Sequence, residues 1–158
     1  MPLPKVGKTA PAFSLLDQDG NNVSLKDFKS KTAVLLFFYP KAMTPGCTVQ
    51  AKSLKASSKK LKAAKLTVLG VSIDPVKRLD KFREKEKLDF TLLSDEDHKV
   101  CSLYGVWQKK KFMGREFMGI VRTSFIIGKD GKIKHVMDKV NTKTHHGDVL
   151  SWVNENLK

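Results

Sequence analysis

The chain has 158 residues, 41% hydrophobic and 29% charged, which is the composition of one globular domain over 1–158 and excludes a disordered or fibrous chain. Its formal net charge of +14 would draw acidic partners from a distance, but the lysines are scattered rather than gathered into a basic tail, so nucleic-acid binding is not the expected role. The longest apolar run, Ala33 to Tyr39, falls far below the roughly 20 residues of a membrane span. The N-terminus has no charged segment followed by a long apolar core, so the expectation is a cytoplasmic protein without a secretory signal.

Phe13 to Leu16 and Val23 to Leu25, separated by Asp19-Gly-Asn-Asn, predict a small N-terminal β-hairpin, because Gly and Asn accept the positive φ of a tight turn. The run from Thr32 to Tyr39 is apolar on both faces, the pattern of a central strand covered on both sides. Pro40 ends it, and Thr44-Pro-Gly can start a helix. A single helix is expected to follow, with Ala51, Leu54, Ala56, Leu61 and Ala64 as its broken apolar stripe and six lysines on the remaining surface.

Leu66 to Ile73 predicts a second buried strand, closed by Asp74-Pro75, and Val76 to Lys87 a charged helix with Leu79 and Phe82 facing inward. Phe90 to Leu93 reads as a short strand and Asp95 to Tyr104 as a short helix. Val121 to Ile127 and Lys132 to Met137 flank the turn Lys129-Asp-Gly as two more strands. A helix from His145 to Asn156 closes the chain, with Val149, Leu150, Trp152, Val153 and Leu157 as apolar positions. The order gives a mixed sheet with helices on both faces.

Two cysteines, Cys47 and Cys101, are too few for a disulfide scaffold and form neither a Cys-x-x-Cys pair nor a zinc-ligand spacing. Cys47 falls in the first turn of the helix after Thr44. Free backbone N–H groups and the positive end of the macrodipole there favour thiolate over thiol. A thiol of ordinary acidity is only a few per cent ionised at neutral pH, and a helix terminus supplies about 0.3–1 kcal/mol, so further positive charge is needed for a reactive sulfur.

Pro40-Lys-Ala-Met-Thr44-Pro-Gly-Cys47 matches Pro-x-x-x-Thr-x-x-Cys, the active-site signature of the peroxiredoxins. Arg122, in Val-Arg-Thr-Ser-Phe-Ile-Ile, lies where that family carries its catalytic arginine. Phe-Phe-Tyr-Pro-Lys before the loop, Leu-Leu-Ser-Asp-Glu-Asp-His at 92–98 and Tyr-Gly-Val-Trp at 104–107 resemble the bacterioferritin-comigratory, or Q-type, branch along nearly the whole chain. The resemblance implies a thioredoxin-like fold and cofactor-free, thiol-dependent reduction of hydrogen peroxide and organic hydroperoxides. Cys47 would form a sulfenic acid, assisted by Thr44, Arg122 and Pro40. Fixed charge and hydrogen-bond donors on Arg122, the Thr44 hydroxyl and the backbone near Gly46 suit that chemistry, and Pro40 offers no competing N–H.

Many Q-type members place a second, resolving cysteine five residues after the first, where this chain has Lys52. Gln50 stands where glutamate is common in the branch. Cys101 lies in an apolar-periodic segment and is expected to be buried and structural. The expectation is therefore a one-Cys cycle, with reduction by a thioredoxin-like or glutaredoxin-like protein or a small-molecule thiol, and with excess peroxide driving Cys47 toward sulfinic acid. The chain lacks the Gly-Gly-Leu-Gly and C-terminal Tyr-Phe motifs that accompany easy overoxidation in some relatives.

His145 and His146 read as a solvated helix start, Trp107 and Trp152 as packing residues, and Lys109-Lys-Lys111 beside Phe112 as a solvated loop. A monomer or weak homodimer is expected. The alternative to an enzyme is a basic binding module on the same scaffold, its motif vestigial and its positive surface recruiting nucleic acid or acidic proteins.

Overall fold

A computed structural model describes residues 3–156. The N-terminal hairpin is present as β1 (Ser14–Asp17) and β2 (Asn22–Ser24), paired antiparallel. The Asp17 carboxylate ties its turn by accepting the amides of Asp19 and Asn21, while Gly20 takes φ +81°. A 3-10 turn, Leu25–Phe28, leads to β3 (Ala33–Phe38), every residue of which is buried.

Helix α1 (Pro45–Ala56) is followed after Ser57 by α2 (Ser58–Ala63) and by β4 (Leu66–Ser72). The single helix expected over this stretch is thus two. Ser57 breaks it at φ −97°, ψ 6°, with its hydroxyl hydrogen-bonded to His146 Nδ1 at 3.1 Å. The break turns Ala56 to solvent and keeps Leu54 and Leu61 in the core.

Next come α3 (Val76–Glu86), β5 (Thr91–Ser94) and α4 (Lys99–Leu103). Leu79 and Phe82 are buried as expected. Only five residues of the helix predicted over Asp95 to Tyr104 are helical. Asp95 stays outside it, its carboxylate accepting the amides of Val100 and Cys101, and His98 takes a left-handed φ of 50°.

The stretch around Lys109-Lys-Lys111 is not a loop. It forms β6 (Trp107–Phe112), paired antiparallel with β7 (Arg115–Ile120) in a separate two-stranded ribbon. Met113 and Gly114, both at positive φ, make the tight turn between them. No alternating apolar pattern announces these strands, because most of the ribbon is exposed on both faces. β8 (Thr123–Ile127), β9 (Ile133–Met137) and α5 (His145–Asn156) complete the order. Leu157 lies outside the described residues.

The main sheet runs β2-β1-β5-β4-β3-β8-β9, with β3, β4 and β5 mutually parallel and the remaining pairings antiparallel. Period-two alternation along β3 splits the core into two layers. Leu35, Phe37 and Tyr39 pack with α1, α2, α3 and α5, whereas Val34, Leu36 and Phe38 pack with α4, the 3-10 turn and Tyr104. This is the thioredoxin-like α/β arrangement, with helices on both faces of a mixed sheet. α1 leaves the exit of a central strand, so its N-terminus opens beside β8 at the end of the sheet.

Candidate active site

Cys47 occupies the first turn of α1, only 2% exposed. Thr44 is the N-cap in an extended conformation and Pro45 opens the helix, a position where a missing N–H costs nothing. The first backbone amide to close the helix is that of Thr48, onto the Thr44 carbonyl. The amides of Gly46 and Cys47 therefore lie before the helical ladder, at the positive end of the dipole.

Arg122 directly precedes β8, and its guanidinium reaches across to α1. Nη2 donates to Cys47 Sγ at 3.4 Å and Nη1 donates to Gln50 Oε1 at 2.6 Å. Sulfur and guanidinium thus meet at the helix start, 75 residues apart in sequence. Gly46 permits the approach: a Cβ there would lie 3.3 Å from Arg122 Nη2.

The Thr44 hydroxyl donates to the Lys41 carbonyl at 2.7 Å, so its hydrogen is committed and its lone pairs are left to accept. Pro40, half-buried, follows the exit of β3. Its contribution is to end the strand and turn the chain into the loop that carries Thr44.

That loop is clamped from below. Asp74, 5% exposed, accepts the Ala42 amide at 2.7 Å and the Ser72 hydroxyl at 2.7 Å. Arg78 Nη2 donates to the Ala42 carbonyl at 3.0 Å, and its Nε sits 3.2 Å from Asp74 Oδ1, an ion pair whose angle falls short of a hydrogen bond. The clamp holds Met43 at φ 64°, a left-handed conformation that costs a non-glycine residue about 1–2 kcal/mol.

Three further residues at the site have no counterpart in the motif. His145 is not solvated: it is 1% exposed, with Nδ1 3.2 Å from Gln50 Nε2 and Nε2 2.7 Å from Ser124 Oγ. Burial pulls its pKa down to about 4; the Asp148 carboxylate opposes that shift, and weaker effects of Arg122 and His146 add to it. The spacing held a clue. His145, Val149 and Val153 recur every fourth residue and are the buried face of α5.

Ser124 lies two positions beyond Arg122 on the same face of the chain. Lys110, in β6, is half-buried and donates to the Ile120 carbonyl at 2.9 Å. Burial first and Arg122 second lower its pKa, while the Cys47 sulfur opposes them.

Cys101 is elsewhere. It is fully buried in the other core layer, in α4, beside the Asp95 carboxylate, and burial followed by that carboxylate pushes its thiol pKa up.

Comparison with known proteins agrees on one relationship. The chain matches the model of the AhpC/TSA family over residues 6–136. It is 56% identical over 151 residues to peroxiredoxin Bcp of Escherichia coli (strain K12), with 96% of each chain covered. It is 38% identical over 151 residues to peroxiredoxin Bcp of Bacillus subtilis (strain 168), again with 96% of each covered. Among solved structures, peroxidoxin BcpB from Mycobacterium tuberculosis is 34% identical with a TM-score of 0.86, covering 98% of this chain and 99% of that one. Peroxiredoxin Q from Xanthomonas campestris is 30% identical with a TM-score of 0.87, covering 92% of each.

Proposed function

This chain belongs to the AhpC/TSA family and is a peroxiredoxin, a thiol-dependent peroxidase, and from that premise we propose that Cys47 is its peroxide-reducing thiol, served by Arg122, Thr44 and Pro40. The observation that carries the assignment is the 3.4 Å contact between Arg122 Nη2 and Cys47 Sγ at the start of α1. A permanent cation and the start of a helix meet at this sulfur, the environment in which catalytic cysteines act.

The thiolate attacks one oxygen of the peroxide in line with the O–O bond. The S–O bond forms as the O–O bond breaks, sulfur is oxidised by two electrons to the sulfenic acid, and the other oxygen leaves as hydroxide or alkoxide. The proton that left the thiol neutralises that leaving oxygen as water or alcohol. Negative charge moves from sulfur onto oxygen within reach of Arg122, which stabilises the charge as it moves. Thr44, its hydrogen given to Lys41, accepts the hydrogen of the peroxide and thereby orients it. Pro40, after the exit of β3, turns the chain into the Thr44 loop and adds no N–H that would compete for the thiolate.

Reduction proceeds by a one-Cys cycle. Lys52 stands where a resolving cysteine would be, and Cys101 belongs to the core layer on the other face of the sheet. An external thiol attacks the sulfenic sulfur and releases water, and a second thiol breaks the resulting mixed disulfide, returning Cys47 and leaving the reductant oxidised. A thioredoxin-like or glutaredoxin-like protein or a small thiol supplies those electrons. Hydrogen peroxide and organic hydroperoxides are the substrates; a relative from Xanthomonas campestris, 29% identical, is described by its alkyl peroxide reduction activity. No described helix is long and apolar enough to cross a membrane, and two free thiols suit the reducing cytoplasm. The alternative of a binding module with a vestigial motif finds no support among these relatives.

Replacing Cys47→Ser should abolish thiol-dependent peroxide consumption. Mass spectrometry of the native protein after one equivalent of peroxide should find the sulfenic acid on Cys47 and a free Cys101. Full activity in the variant would overturn the assignment, and a Cys47–Cys101 disulfide would overturn the one-Cys cycle.

A further inference from the structure

Three side-chain contacts link Arg122, Gln50, His145 and Ser124 in a line, and the backbone between residues 122 and 124 joins its ends into a ring. Arg122 Nη1 donates to Gln50 Oε1 at 2.6 Å, Gln50 Nε2 lies 3.2 Å from His145 Nδ1, and His145 Nε2 lies 2.7 Å from Ser124 Oγ. Ser124 returns the ring to the strand that begins beside Arg122. Gln50, His145 and Ser124 are at most 1% exposed, so no water competes for these bonds.

We propose that His145 is a positioning residue for peroxide reduction, acting through the Gln50 amide to hold the Arg122 guanidinium on the Cys47 sulfur. The proposal rests on the assignment of Cys47 and Arg122 given above. It follows from the donors and acceptors in the ring, which permit one arrangement only. A guanidinium can only donate, so the Gln50 atom facing it is the carbonyl oxygen. The Gln50 NH₂ therefore faces His145 and can only donate, which makes Nδ1 an acceptor. A neutral imidazole with Nδ1 bare carries its hydrogen on Nε2, and that hydrogen goes to Ser124 Oγ.

A second proton on His145 would set N–H against NH₂. Turning the amide over would move the same conflict to Arg122. Since the guanidinium is always charged, His145 has to stay neutral for the ring to close. Burial opposes protonation most strongly; Asp148 on its own helix, whose carboxylate also accepts the Thr144 hydroxyl, favours it, and Arg122 beside β8 and His146 more weakly oppose it. Gln50 alone could turn about its last torsion, whereas Gln50 gripped by His145 presents its oxygen at one place. One nitrogen of the Arg122 fork is thereby fixed, and the other is left to meet the sulfur.

The test is a double-mutant cycle on the second-order rate of peroxide reduction. His145→Phe should lower that rate tenfold or more. In an Arg122→Leu background the same change should cost less than about twofold, because a residue that works through Arg122 has nothing left to position. His145→Asn keeps an acceptor and a donor near Nδ1 and should lose less than about threefold. Equal costs of His145→Phe in both backgrounds, or an Asn variant no faster than the Phe variant, would overturn the proposal; a large cost of Arg122→Leu alone would leave the Cys47–Arg122 assignment standing. Should His145→Phe not fold, nitrogen NMR of the native protein decides the matter. The proposal requires neutral His145 with hydrogen on Nε2 at pH 7, and hydrogen on Nδ1 would sink it.

Discussion

Cys47 and Cys101 are hidden to nearly the same degree, at 2% and 0% exposure, and they sit in opposite fields. At Cys47 a guanidinium nitrogen lies 3.4 Å away and the open end of a 12-residue helix points at the sulfur. At Cys101 the nearest charge is the Asp95 carboxylate, which already accepts the Cys101 amide at 2.7 Å and adds its repulsion to the cost of burial. The difference teaches that concealment does not sort reactive from inert thiols. With Cys47 proposed as the reacting thiol, the sign of the adjacent charge is what separates the two, and the two signs lie on opposite faces of one sheet.

The contrast can be broken most severely at its cation. Arg122→Leu is close in length to the lost stem and removes the charge beside Cys47, the donor to its sulfur and the donor to Gln50. A single preorganised donor at a developing oxyanion is worth about 10²–10³ in rate. Stopped-flow measurement of peroxide reduction should accordingly show a loss of at least about a hundredfold. A loss under fivefold would mean that the helix start carries the sulfur's reactivity without help.

A finer cut moves the cation without removing it. In Gly46→Ala the new Cβ would stand 3.3 Å from Arg122 Nη2 and 3.9 Å from Thr142 Cγ2. Gln50 holds the other guanidinium nitrogen, so the displaced one moves off the sulfur by a few tenths of an ångström. Misplacement on the scale of 1 Å can cost about a hundredfold, and this smaller one should cost about tenfold in rate. Alanine in place of glycine inside a helix favours folding by up to about 1 kcal/mol, so thermal unfolding should rise or hold while activity falls. An unchanged rate would show that the fork has more freedom than its two contacts suggest.

The legible and illegible parts of this site divide by the range of the interactions that form them. Thr44-Pro45 announces α1, and the doubly apolar run of β3 announces the strand that delivers it, because caps and periodicity are local. The split at Ser57 depends on His146, 89 residues away, and could not be seen in the helical stripe. His145 looked like half of a polar His-His pair, since its partners are 95 and 21 residues distant and only their common burial gives it a role. The β6–β7 ribbon escaped for another reason. A two-stranded ribbon with Lys109, Lys111 and Phe112 in solvent has no buried face to imprint an alternating pattern. The meeting of Arg122 with Cys47 was anticipated through family resemblance; nothing in the spacing of the two residues, taken alone, required it.

The smallest effect is expected at the other pole. Cys101→Ala removes one sulfur atom from a fully packed layer containing Val100, Tyr104, Phe38 and Phe125. Loss of a buried atom of that size, partly recovered as neighbours relax, should cost about 1 kcal/mol of stability. Denaturant unfolding would register that cost as a lower midpoint with an unchanged slope. Turnover with an external thiol should stay within about twofold of the native protein, because no step of a one-Cys cycle passes through the Asp95 side of the sheet. Alkylation adds the matching readout: iodoacetamide should label Cys47 in the native protein and reach Cys101 only once the chain unfolds. Slow recovery of oxidised Cys101→Ala, with the first reaction with peroxide unimpaired, would instead place Cys101 in the reductive half of the cycle. Since the two thiols occupy separate core layers, that result would require the layers to open before the sulfurs could meet.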